Sequence, residues 1–256
     1  MKKILLAALL LFAARESAAM VLKQQMNVNI GVFDAASVSL QYDNADNRFY
    51  MSATVRTENL FDTLYPFKAI YESKGQRYKD KVIPEIYQTR TQSRNHIRTK
   101  KIFYNDKGVA YKRISTKDDK VNESAISGVS KTADAGDLQS VFAEFIQNLA
   151  DYGHCNLIRE IDDGKKHYKF ISKDEGMVTR YFEFTKKEEK AHFCSVYVEN
   201  LKDNNDNILW NVSADKPIKL WVGQDEKTGM PFVFEIGIDS TPLGALKVEP
   251  ISLDIE

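Results

Sequence analysis

Residues 37–56 read SVSLQYDNADNRFYMSATVR. Val38, Leu40 and Tyr42 alternate with Ser37, Ser39 and Gln41, and after DNADN at 43–47 the apolar series resumes as Phe49, Met51, Ala53 and Val55. A period of two places every second side chain on one face of an extended chain, and a cluster of Asp and Asn turns it. The stretch therefore predicts a β-hairpin with one apolar face.

Outward from this hairpin the same period recurs almost everywhere. It predicts strands near 67–73, 86–92 and 97–104, then a turn at Asn105-Asp106-Lys107-Gly108 and a strand over 109–114. Further strands are expected at 157–161, 168–171, 178–184, 193–198, 208–212, 218–222 and 232–238, with Ile251, Leu253 and Ile255 alternating at the end. About a dozen strands at such spacing predict a mainly β single domain over 20–256, an antiparallel barrel or strongly curved sheet.

One segment departs from the period of two. Leu138, Val141, Phe142, Phe145, Ile146 and Leu149 follow helical spacing, which predicts an amphipathic helix over 137–150 packed on or in the sheet. Asp134 and Asp137 are cap candidates, and Gly153 can stop the helix. Residues 116–136 are polar with weak periodicity and are expected to form a long loop. The stretch NLFDTLYPF at 59–67 reads either as a corner of the core or as a short lid over an apolar cavity. Leu60, Phe61, Leu64 and Tyr65 are its candidate ligand contacts.

The first 19 residues read as a separate unit. Lys2 and Lys3 precede the apolar run Ile4–Ala14, and Ser17-Ala18-Ala19 follows it. The run is too short to span a bilayer and has the form of a secretory signal cleaved after Ala19, an uncleaved anchor or a different scissile bond being the alternative, so the mature chain is expected to be exported to an oxidising compartment. In that compartment the two cysteines, Cys155 and Cys194, are expected to form one disulfide, the alternative being two buried thiols.

The 36 basic and 36 acidic residues of the chain cancel, which argues against a nucleic-acid partner. The distribution is uneven, with 13 Lys and Arg against three acids in residues 74–117 and 16 against 26 in residues 118–256. Arg90, Arg94, Arg98 and Lys100 share even parity and would project from one face of an extended segment, unless a turn near Ser93–His96 intervenes. Such a patch reads as a solvated outer face or as a site for anionic headgroups or acidic glycans, for which Arg94 and Lys100 are the candidate contacts.

Catalytic patterns fail on their context. Ser213-Ala214-Asp215-Lys216 and Lys227-Thr228-Gly229 imitate penicillin-binding motifs, but they lie too close together and Pro217 follows the lysine. Asp203–Asn207 imitates a calcium loop, yet Ile208 replaces the required glycine. The four histidines, His96, His154, His167 and His192, make no helix-spaced metal pair. No catalytic residue, cofactor or metal is therefore expected, and carboxylates such as Asp162, Asp163 and Asp174 are dispersed.

Several short segments occur in a suggestive order. They are Asn29-Ile30-Gly31-Val32-Phe33, Arg56-Thr57-Glu58-Asn59-Leu60-Phe61, Tyr65-Pro66-Phe67, Tyr71-Glu72-Ser73-Lys74-Gly75 and Pro84-Glu85-Ile86-Tyr87, then His154-Cys155, Asp163–Tyr168, Cys194 and Leu220-Trp221-Val222 before Pro231. In this order the chain resembles the exported bacterial proteins of the domain-of-unknown-function 3108 family, with Gly31 alone where that family often has a Gly-Gly pair. The resemblance implies a curved β protein of the envelope, akin to periplasmic lipoprotein carriers, and implies no catalytic residues. The expected function is a non-enzymatic, at most membrane-peripheral, periplasmic protein. Its partner would be a lipid, an envelope polymer or an envelope protein segment. An envelope-polymer hydrolase and a purely structural protein are the alternatives.

Overall fold

Val38, Leu40 and Tyr42 lie directly opposite Val55, Ala53 and Met51 in an antiparallel pair. Leu40, Tyr42, Phe49 and Met51 are buried, so the face marked by the alternation is the one the fold covers. The computed structural model describes residues 20–45, 47–78, 81–126, 135–162, 167–201, 216–241 and 243–256. The expected signal at 1–19, the strand at 208–212, Asp134, Asp163 and the calcium-loop mimic lie outside the described residues.

In chain order the elements are β1 (Met20–Ile30), β2 (Phe33–Ala45), β3 (Arg48–Thr57), α1 (Asn59–Leu64), β4 (Phe67–Arg77), β5 (Val82–Ser93), β6 (His96–Tyr104), β7 (Ala110–Lys117) and β8 (Lys120–Ala125). There follow β9 (Ala135–Gly136), α2 (Leu138–Tyr152), β10 (Leu157–Asp162), β11 (His167–Phe182), β12 (Lys187–Asn200), β13 (Ile218–Gln224), β14 (Pro231–Thr241) and β15 (Gly244–Ile255). All fifteen described strands form one sheet, in which the run β8 to β1 continues into β15 and back down to β9. The chain thus meanders outward from β1, crosses over, and returns until β15 pairs antiparallel with β1. The sheet is curved and unclosed, with β8 and β9 as its edges.

Helix α2 lies inside the curve, against β3, β4 and β5 on one side and β10 and β14 on the other. It begins one residue later than expected and continues to Tyr152. Its N-cap is Asp137, which accepts from the Ser140 backbone N–H at 3.0 Å while Ser140 Oγ accepts from the Asp137 N–H at 3.0 Å. Gly153 ends it in the left-handed conformation, φ 68°, which costs glycine little. Val141, Phe145, Ile146 and Leu149 are buried as their spacing predicts, whereas Leu138 is 41% exposed because it starts the first turn on the solvent side.

The polar side of α2 is buried as well. Glu144 accepts from the Val82 N–H at 3.2 Å and pairs with the Arg159 guanidinium, and Gln147 donates to the Tyr78 carbonyl at 2.6 Å. A buried carboxylate without such partners would be strongly destabilising. The hollow bounded by Val82, Pro84, Gly136, Val141 and Glu144 measures about 20 Å³, room for little more than one water. The helix therefore fills this part of the concavity.

Two expectations on element boundaries are corrected. The polar stretch 116–136 is not one loop: β7 runs to Lys117, Asp118 and Asp119 turn the chain at φ 47° and 67°, and β8 pairs back along β7. As an exposed edge strand, β8 carries polar side chains on both faces, and the alternation is lost. The expected strands at 168–171 and 178–184 are one strand, β11, bulged between Asp174 and Met177 with Gly176 at φ 97°. The bulge breaks the period in the sequence without ending the strand.

Candidate binding site

The bulge in β11 and the exit of α2 meet at a covalent staple. Cys155, two residues past the helix cap, is bonded to Cys194 on β12, with Cα atoms 6.2 Å apart. The Asp174 carboxylate accepts from the Cys155 N–H at 2.9 Å and from the Gly176 N–H at 2.7 Å, and lies 3.5 Å from His192 Nδ1. This carboxylate is committed to holding backbone. A second tie crosses from β1 to the bulged part of β14, where Gln24, fully buried, donates to the Val233 carbonyl at 2.6 Å and accepts from its N–H at 3.3 Å.

Beside these ties lies an open groove of about 770 Å³. Met177 on β11, His192 on β12 and Val222 on β13 stand in one cross-strand row, and Phe232 and Leu253 add to the apolar lining. Glu188, Lys190 and the Asp225–Lys227 turn supply charged walls. Gln224 donates to the Leu149 carbonyl at 3.3 Å, so the C-terminal end of α2 abuts the groove. The Asp225 carboxylate accepts from Thr228 Oγ1 at 2.8 Å and the Thr228 N–H at 2.9 Å, and these bonds hold its carboxyl below the usual range. Lys227-Thr228-Gly229 is thus a turn ordered by Asp225. Apolar side chains beside mixed charges suit a molecule with an apolar body and a polar end.

The residues singled out by sequence lie elsewhere. Helix α1 sits at the other end of the strands, with Phe61 packed against the core and Leu60, Leu64 and Tyr65 exposed. Arg94 joins them by donating to the Thr63 carbonyl at 2.8 Å. Lys100 is separate, its ammonium 5.6 Å from the centre of the Tyr87 ring.

The basic block does not share one face. Ser93 pairs with His96, so Arg94-Asn95 is a two-residue turn that reverses parity. Arg90 lies opposite Thr99, while Arg98 and Lys100 lie opposite Thr91 and Thr89 on the other face. That second face is the one facing α2, because it carries the buried Tyr87, Ile102 and Ser73, and Ser73 Oγ donates to the Asp137 carboxylate at 2.8 Å. Asp162 is buried on β10. Among the described residues, no three of His, Cys, Asp and Glu gather as metal ligands would.

A solved structure shares this architecture. The chain aligns with the crystal structure of a beta-barrel-like protein of domain of unknown function DUF1849 from Brucella abortus, at TM-score 0.52 and 9% identity, over 93% of this chain and 98% of that one. The fold is β-barrel-like. At this identity the likeness concerns the fold alone. No protein-family model and no curated protein matches the chain. Sequence reasoning missed the groove because its lining is shared among β11, β12, β13, β14 and β15, and alternation along one strand does not say which side chains of the other strands it will meet.

Proposed function

We propose that the protein is a non-enzymatic binding protein of the bacterial cell envelope, exported to the periplasm by cleavage after Ala19, and that it holds an apolar or amphiphilic molecule in the groove beside the C-terminus of α2. The observation that carries this reading is the groove itself: about 770 Å³ is within the usual size for small-molecule sites, and Met177 stands 55% exposed on its wall. The Cys155–Cys194 disulfide supports an oxidising compartment. Among the described residues no helix is long and apolar enough to cross a membrane. The ordered segments that resemble the 3108 family support an envelope role.

A fluorescent fatty-acyl probe tests the proposal. Saturable binding near micromolar, about 8 kcal/mol, is expected for the wild type. Met177→Asp should weaken it about ten-fold without changing thermal stability, since the side chain is largely exposed. Absence of saturable binding, or equal binding by the variant, would refute the groove as an apolar site.

A further inference from the structure

Five strand connections at one end of the sheet, among the described residues, share an unusual property. The β1–β2 turn, α1, the β5–β6 turn, the β7–β8 turn and the β14–β15 turn all lie at this end, since Ile30, Phe33, Thr57, Phe67, Ser93, His96, Lys117, Lys120, Thr241 and Gly244 are the strand termini there. Turns on a water-facing surface are ordinarily polar. Here each carries a solvent-exposed apolar side chain at its tip or within two residues of it: Val32 (91%), Leu64 and Tyr65 (74%), Ile97, Val121 (70%) and Leu243.

Cations stand directly behind these tips. Arg98, Lys117 and Lys120 occupy consecutive positions of one lateral row across β6, β7 and β8. None of the three has an ion-pair partner among the described residues. Like charges placed directly opposite one another destabilise a sheet, and this row is compensated when anions lie along it. The helix-facing side of β6 to β8 carries no carboxylate: its remaining positions are His96, Lys100, Ile102, Tyr104, Ala110, Arg113, Ser115, Asn122 and Ser124. Of the acids near the rim, Asp118 lies 3.0 Å from His96, Glu58 2.8 Å from Arg56 and Asp239 2.7 Å from Lys219, which leaves Asp34 and Asp119 against the three cations of the row.

We propose that this rim is a membrane-contact surface, which seats the protein end-on against a bilayer containing anionic phospholipid. A protein partner needs a continuous complementary patch of roughly 800 Å², whereas the exposed apolar side chains here stand in small separate groups, Val32 with Phe33 and Leu60 with Leu64 and Tyr65 among them, on different turns along an edge. A fluid headgroup region accepts such discrete anchors, with an aromatic residue such as Tyr65 at its boundary. The cation row then lies in the negative surface potential. The inference does not rest on the groove, which is at the opposite end of the strands.

Vesicle binding tests it. Relative to the wild type, the Tyr65→Trp variant should gain a blue-shifted emission with equimolar phosphatidylglycerol–phosphatidylcholine vesicles, and brominated acyl chains should quench it. Val32→Asp with Leu64→Asp, both at exposed positions, should reduce partitioning by at least about ten-fold while thermal stability is kept. Lys117→Glu with Lys120→Glu should abolish the preference for the anionic mixture over pure phosphatidylcholine, and raised salt should do the same to the wild type. An unshifted emission from the Tyr65→Trp variant, or unchanged partitioning when Val32 and Leu64 are both replaced, overturns the proposal. So does a dimer in solution that Leu64→Asp dissociates, which would make the rim an interface between copies.

Discussion

The N-cap of α2 provides a stability test with a defined sign. Asp137 is fully buried, and burial pushes its carboxyl up to about 6, although hydrogen bonds from Ser140 and Ser73 oppose the rise. The unfolded chain holds the same group near 3.8. Because the folded value is the higher one, protonation favours the folded state. The contribution is complete below about pH 3.8 and is lost as pH rises through about 6. Two units correspond to roughly 3 kcal/mol, of which about 2 kcal/mol falls between about pH 4.5 and about pH 7.5. Asp137→Asn keeps an oxygen that can accept from the Ser140 N–H but does not titrate. In urea unfolding followed by circular dichroism, the stability of the wild type relative to this variant should therefore rise by about 2 kcal/mol on acidification over that window. A difference that stays flat, or that moves the other way, would refute the buried, proton-accepting cap.

Two further outcomes follow from packing and cross-linking. Phe145→Ala should cost about 3–5 kcal/mol, because the ring is buried inside the curve, whereas Leu138→Ala on the exposed first turn should cost under about 1 kcal/mol; similar unfolding midpoints for the two variants would contradict the placement of the helix. Replacing Cys155 and Cys194 together by Ala should cost roughly 4 kcal/mol, since the bond closes a loop with a separation of 39 residues. A reductant should then lower the midpoint of the wild type and leave the double variant unchanged, and full alkylation of both cysteines in unreduced protein would sink the pairing.

The local pattern was legible wherever one face of a segment is covered. Alternation at 37–56 reports which side chains share a face, and Leu40, Tyr42, Phe49 and Met51 are buried accordingly. The helical spacing around Phe145 likewise identified α2, and Gly153 its end. Edge strand β8 was illegible for the converse reason: both its faces meet solvent, so no apolar alternation is required of it. The candidate ligand residues Leu60, Phe61, Leu64, Tyr65 and Arg94 cluster at α1, but Lys100 does not join them, because strand parity predicts facing only up to the next turn.

By itself the sequence determined most of the strands, though not β1 or β8, together with helix α2 and their apolar faces, because those depend on side-chain periodicity and on turn residues a few positions away. Only the tertiary structure decided that β1 lies between β2 and β15, and that the polar side of α2 is buried against Arg159 and Val82. It also decided where the groove opens and which turns share the rim. These features rest on contacts between residues tens to hundreds of positions apart, and periodicity along the chain says which way a side chain points without saying what it meets.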